Sequence, residues 1–504
     1  MTGHSRLPVP TPPVVGRGFG WLAPRLRADK PKGLWQGRLR ARGQIGCSAN
    51  SRRHRDFRQT VSTDQPATID RYLAAITDGV ATPALCANWT EWLCSEYEQE
   101  CRRARDWAEQ TGGPLPDPIT IDFLASYPAT KLQRYRTERS DAPVGRITYL
   151  VPCAPQVDTL HESQALRARG FWTKALIRRG IDATAYVPSF DEVVVADGIA
   201  LTIHELEHDP ADLIHALNQF YNLTPLVRLF TDKPLVTEVY DFDPFRHDGR
   251  NDNAHTVEAF ARSLSDTDGL KYKDSPLAPD IMRHELGIDV VDRRLQFWPY
   301  FPTTCSQPDR DPSDPLRLVT AGMVGGRDAA WVAPTMRRSF RQLTGLGELH
   351  VYASPFFAED ADDVDAIDGV HLHEPILGNG FIDALSQYDV GVIQFPYVSP
   401  MVNEGLTCAV GSKLMAFVAA GLPTLVSEEC QYMSLLVERL GIGWSMPSDQ
   451  VAGAGELIRR TYRDRLRRVA ELQPQWRMDA NIDRLIDFYR RCGMKTACRS
   501  EVTS

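Results

Sequence analysis

A chain of 504 residues is longer than one hydrophobic core sustains, so two packed domains with additions are expected. Apolar residues at 43% and charged residues at 24% exclude a fibrous or wholly disordered protein. The net charge of -8 is uneven: residues 1–60 hold thirteen Lys and Arg against Asp29 and Asp56, a local +11, which leaves -19 for the rest and excludes a general attraction for nucleic acid outside the tail.

Residues 1–64 are rich in Arg, Pro and Gly without helical or strand period and read as a disordered basic tail. Its composition also suits a transit peptide or extra upstream sequence, and it contains no apolar run of signal-peptide length. A helical extension is predicted over 65–142, with apolar faces from Tyr72, Leu73, Ile76, Trp89, Trp92, Leu93, Tyr97 and Trp107, ended by Gly112, Gly113 and Pro114. It suits either docking on the body or contact with another protein. Cys94 and Cys101 are spaced for one helix face, where core packing outweighs metal binding, and ten cysteines without a C-x-x-C pair suggest neither a zinc ribbon nor a disulfide framework.

From 143 to 305 strands alternate with helices. Strand 146–152, helix 161–179 and strand 180–187 make a βαβ unit, followed by strands at 213–215, 235–240 and 269–273 and helices at 224–230 and 256–264. The Pro-, Asp- and Ser-rich segment 307–315 reads as a linker. A second series fills 306–480, with strands at 316–322, 348–352, 370–372, 390–395 and 424–426 and helices at 331–343, 381–386, 412–420 and 432–440. A crossing helix and tail complete the chain over 481–504. The fold class is therefore α/β: two Rossmann-like parallel-sheet domains facing a cleft, where ligands bind at strand carboxyl ends. The apolar stretch 408–426 is interrupted by Lys413 and by Gly421, Leu422 and Pro423, which favours a buried helix, turn and strand over a membrane span.

The most informative segment runs from Gly411 to Val426. A helix opening after Gly411 presents unpaired N–H groups, and Lys413 in its first turn adds a full charge; with Ser412 they form a diphosphate receptor. The segment resembles the Pro-x-Lys-x-x-Glu-Tyr-x-x-x-Gly-x-Pro signature of GT-B glycosyltransferases, in particular the retaining family 4 or group 1 type. Other stretches are similar in the same order: Gly322 followed by Arg327, His373-Glu374-Pro375-Ile376, Tyr388-Asp389-Val390-Gly391-Val392, and the 480–491 helix ending in Phe488-Tyr489. In the first half, Asp212-Leu213-Ile214-His215, the strand leading to Asp241 and Asp243, and Glu258 before Asp268 follow the family order more loosely.

The resemblance implies a nucleotide-sugar glycosyltransferase, retaining and metal-independent, using a UDP- or GDP-sugar as substrate and no resident cofactor. Gly322, Arg327, Glu374, Ile376, Glu404, Ser412 and Lys413 are the implied donor-binding residues, and Asp241, Asp243, Arg327 and Lys413 the implied catalytic ones. Carbohydrate, lipid and small-molecule acceptors are all open; nucleic acid is not expected as a partner, and peripheral membrane contact remains open. A cytoplasmic location is the expectation. The sequence departs from the family where ribose-binding carboxylates are usual: Ala416 and Cys408 stand there, with Glu404 as the available substitute. Plainer roles exist beside these: Lys413 as a solvated helix end, Arg327 as a loop residue, Asp241 and Asp243 as caps before Pro244, and His161 as a helix-terminal polar residue. An epimerase or hydrolase of the same fold, or a scaffold without activity, are the alternative readings.

Overall fold

The structure, a computed structural model, describes residues 83–130, 132–139, 141–151, 157–178, 183–217, 227, 231–239, 264, 267–280, 283, 291–307, 309–322, 332–353, 362–376, 380–394 and 408–496. The basic tail and the helices expected at 224–230 and 256–264 lie outside them, apart from Val227 and Leu264.

The first sheet is built from β1 (Gln133–Arg136), β2 (Arg146–Val151), β3 (Trp172–Arg178), β4 (Glu192–Ala196), β5 (Leu213–Leu217), β6 (Leu235–Val239), β7 (Gly269–Tyr272) and β8 (Arg294–Gln296). Their order is β1-β4-β3-β2-β5-β6-β7-β8, parallel throughout except for β1, which runs antiparallel to β4. Helices α1 (Pro83–Thr111), α2 (Ile121–Ser126), α3 (Val157–Ala168) and α4 (Ile199–Glu207) accompany it. One face buries Leu150, Leu176, Val194 and Ile214 against Leu124 of α2 and Ile203 of α4.

The extension is thus docked on the body. Glu100 of α1 inserts its carboxylate at the start of α4, accepting from Ile199 N at 2.5 Å, which satisfies an N–H that the helix cannot. Burial pushes Glu100 up to about 7 against those hydrogen bonds. The segment also contributes β1, an exposed edge strand bearing Arg134 and Arg136, the charged kind of edge that discourages further pairing.

One expected unit is corrected. The strand read at 180–187 lies instead at Trp172–Arg178, and the preceding helix stops at Ala168, because Gly170 adopts φ +88 and turns the chain. Residues 171–177 are all buried, so no polar alternation marks the strand, and Lys174 in its middle reads as helical surface. Its ammonium is neutralised inside by Glu205 at 2.9 Å and Asp209 at 3.0 Å.

The second sheet contains β9 (Leu316–Gly322), β10 (Gly347–Ala353), β11 (Val370–His373), β12 (Val390–Ile393), β13 (Thr424–Ser427) and β14 (Gly443–Met446), all parallel, in the order β11-β10-β9-β12-β13-β14. Renumbered within the domain this is 3-2-1-4-5-6, the doubly wound order, with its switch point between β9 and β12. Helices α5 (Val332–Leu343), α6 (Gly380–Leu385), α7 (Ser412–Ala419), α8 (Gln431–Leu440) and α9 (Gly455–Leu472) cover it. Strand β14 and helix α9 are additions that pattern reading did not single out. The last helix, α10 (Met478–Arg491), returns to the first domain and buries Ile482, Leu485, Phe488 and Tyr489 in its core. The two domain crossings run side by side: Met478 N donates to Phe301 O at 2.9 Å, and Trp298 meets Trp476 edge-on at 5.0 Å. Among the described residues no helix is long and apolar enough to cross a membrane; the stretch 408–426 resolves into α7, a turn and β13.

Candidate functional site

The carboxyl ends of the two sheets meet beside α7. After β7, Asp274 is buried and accepts from Val410 N at 2.9 Å, while Ser275 N donates to Cys408 O at 2.8 Å. These bonds tie the entry to α7 to the first domain. Lys273 places a second buried ammonium 3.2 Å from Asp274. Neither Lys273 nor Asp274 stood out in the sequence, where Lys273 ends a predicted strand and Asp274 follows it.

Helix α7 starts after Gly411, whose φ of -70 and ψ of 139 are extended, and no side chain caps it. An uncapped helix start carries a partial positive charge and favours anions. Lys413 in its first turn folds back over the end of β9. A Cβ placed on Gly322 would lie 3.1 Å from Lys413 Cε and 3.7 Å from Nζ. Gly322 also adopts φ +96, a backbone conformation that favours glycine there. The structure therefore brings together Gly322 and Lys413, with Ser412 next to Lys413 as the first residue of α7. Burial lowers the Lys413 ammonium to about 8.

A further polar group follows the central strand next to β9. Gln394 follows β12, is buried, and has neither its Nε2 nor its Oε1 hydrogen-bonded among the described residues. Gly391 pairs with Val319, and continuing that register sets Gln394 level with Gly322 across the switch point. A buried amide with both functions unsatisfied is costly unless a ligand or water completes it. Sequence reading ended a strand here without assigning Gln394 a role; a polar residue closing an otherwise apolar central strand was the available signal.

The remaining expectations divide. Glu374 is exposed in the loop after β11, and Ile376 is half-buried against the core containing Ile382 of α6. Ala416 and Cys408, which carry no carboxylate to offer a ligand, are both buried. Arg327, Asp241, Asp243, Tyr240, Glu258 and Glu404 lie outside the described residues. His161 is not solvated: it is buried, its Nδ1 lies 3.2 Å from Tyr300 O, and Phe301 packs edge-on at 5.0 Å. Burial lowers its pKa to about 4.

Within the first domain lies a closed ring of buried polar groups. Lys271 Nζ contacts Glu162 Oε1 at 2.5 Å and Glu238 Oε1 at 2.7 Å; Glu238 Oε2 lies 3.1 Å from His215 Nε2. His215 Nδ1 meets the Tyr489 hydroxyl at 2.7 Å, which meets the Tyr149 hydroxyl at 3.1 Å, which donates to Glu162 Oε2 at 3.4 Å. Burial raises Glu238, but Lys271 and His215 overcome it and hold the carboxyl low, at about 2. Glu162 is pushed the other way, first by burial. The ring fixes α10 to the sheet through Tyr489 and is closed to solvent.

No protein-family model matches the chain, and no curated protein does. Solved structures do. The glycosyltransferase SsfS6 of Streptomyces sp. SF2575 aligns at 15% identity over 68% of this chain and 99% of its own, with a TM-score of 0.38. Arabidopsis thaliana UGT89C1 complexed with UDP-L-rhamnose aligns at 10% identity over 70% and 100%, with a TM-score of 0.44. A putative UDP-N-acetylglucosamine 2-epimerase from Listeria monocytogenes aligns at 13% identity over 69% and 96%, with a TM-score of 0.41. At these scores the likeness decides neither activity nor substrate.

Proposed function

We propose that the chain transfers a sugar from a nucleotide-diphosphate donor to an acceptor, with the diphosphate seated at the start of α7. The observation that carries this reading is the Lys413 side chain folded over Gly322 at the switch point of the second sheet. A departing diphosphate gains negative charge in the transition state. A preorganised ammonium and a helix start stabilise that charge, each donor contributing roughly 3 kcal/mol. Gln394, level with Gly322, supplies a donor and an acceptor for the nucleoside or sugar. Arg327 as a second diphosphate cation, Asp241 and Asp243 at the acceptor, retention at the anomeric carbon, and independence from metal belong to this reading by family resemblance.

A thermal-shift panel of UDP, GDP and their sugars tests it. The expected outcome is a shift with at least one nucleoside diphosphate, most of it lost in Lys413→Ala while the unliganded variant stays folded. An unchanged shift in the variant removes the assigned diphosphate site. One observation favours a second reading: buried Ala416 and Cys408 leave the usual ribose-holding positions without carboxylates. A scaffold without donor binding predicts no shift with any member of the panel. An epimerase or hydrolase would bind the donor and convert it without acceptor, which mass spectrometry of the incubated nucleotide-sugar detects.

A further inference from the structure

Strands β10 and β11 carry the alternating pairs Glu348-x-His350 and His371-x-His373. A strand period of two puts each pair on one face. The parallel register sets His350 beside His371 and Tyr352 beside His373. One donor atom each from Glu348, His350 and His371 lies within 4.8 Å of the others. His350 is only 9% exposed, and its Nε2 has no hydrogen-bond partner among the described residues; the nearest carboxylate atom, Glu348 Oε2, is 3.8 Å away. Its other nitrogen, Nδ1, is 2.9 Å from His373 Nε2. His373 is backed in turn by the Tyr388 hydroxyl at 3.5 Å, itself bonded to Tyr352 at 2.9 Å.

We propose that Glu348, His350 and His371 bind a divalent transition-metal ion of the zinc type at the edge of the second sheet, apart from the diphosphate site. Two imidazoles and a carboxylate suit zinc, nickel or copper rather than magnesium or calcium, which prefer all-oxygen sites. Bonds of about 2.0–2.1 Å in a tetrahedron place ligand atoms roughly 3.3 Å apart. The three donors need only close in from their present spacing. His371 is exposed and Glu348 partly so, and both side chains are able to rotate toward His350, which packing holds still. Metal-bound imidazoles normally donate their second nitrogen to an outer partner. With His350 Nδ1–H donated to His373, Nε2 carries its lone pair into the cluster.

Arg317, the adjacent cation, is turned onto Gln387 O at 3.0 Å and over the Tyr388 ring at 5.1 Å. Three protein ligands leave the fourth position to water. The site stands on its own geometry and does not depend on the donor reading.

The test is titration of the chelator-treated full chain with Co²⁺, followed by visible ligand-field absorption, then displacement by Zn²⁺. One saturable equivalent is expected, weakened roughly tenfold in the outer-partner variant His373→Gln and more than that in His371→Ala and in Glu348→Gln. His371 and Glu348 are not core residues, so these variants fold and keep the test decisive where His350→Gln does not. Absence of a saturable equivalent, or equal affinity in wild type and His371→Ala, overturns the proposal.

Discussion

In the first sheet Lys174 and Lys271 are buried among carboxylates, whereas in the second domain Lys413 lies in the first turn of α7 against Gly322. Burial alone lowers an ammonium pKa, yet Asp209 and Glu205 around Lys174, and Glu162 and Glu238 around Lys271, outweigh it and hold both above the ordinary lysine value. At Lys413 burial wins, and the group falls to about 8. The same contrast separates the two Glu/His clusters. Glu162, His215 and Glu238 have ligand atoms close enough to hold a metal, but Lys271 already occupies the cation position. Glu348, His350 and His371 have no such ammonium on them among the described residues, and Arg317 is directed elsewhere. Residue types and proximity are therefore insufficient to define a metal site; what decides is whether the fold has already supplied the positive charge.

The largest expected effect comes from removing that charge. Lys271→Met leaves two buried carboxylates facing one another and should destabilise the chain by about 3–5 kcal/mol in urea denaturation. The same variant frees the Glu162–His215–Glu238 cluster for a cation, so Zn²⁺ should return part of the loss; an unchanged denaturation midpoint in the variant would break the comparison. Next, Zn²⁺ at a hundredfold excess over its Kd should stabilise the wild type by about 2.7 kcal/mol, seen as a raised Tm absent in His371→Ala. Tyr489→Phe removes the hydroxyl between His215 and Tyr149 and should cost about 1–3 kcal/mol, with the loss read as earlier melting of the first domain.

The smallest effect is a pH dependence of opposite sign in the two sheets. Lys271 and Lys174 are raised, so their stabilisation is present below the unfolded lysine pKa and is lost as pH climbs through their folded values. Lys413 is lowered, so the unliganded fold gains from its deprotonation between about 8 and the unfolded value. Nucleoside diphosphate needs the protonated ammonium, so its affinity should fall above about pH 8, measured by calorimetry at pH 7 and pH 9.5. An affinity flat across that range would separate Lys413 from the ligand.

Strands in the second domain were legible almost residue by residue, because short apolar runs between loops leave little choice: 316–322 is β9 as read, and 424–426 falls within β13. The first domain was less so. The expected strand at 180–187 failed because β3 hides a lysine whose partners, Glu205 and Asp209, come from 31 and 35 residues downstream. Local pattern put Ser412 and Lys413 in the first turn of a helix, and α7 does begin at Ser412. Gln394 and Asp274 were not visible in that way, since each acquires its place only from a neighbouring strand or the opposite domain.

What the sequence by itself determined is the alternation of strands and helices in two series, the break between them, and a lysine in the first turn of a helix followed by a glycine turn. These are local matters of period, propensity and capping. Which side chains meet was decided by tertiary structure alone. Parallel register brings His350 to His371 and Glu238 to Lys271 across gaps that no local rule spans. The return of α10 sets Tyr489 against His215, 274 residues away in the chain. Charge and coordination depend on such distances, and distances across a sheet are fixed only when the strands have chosen their neighbours.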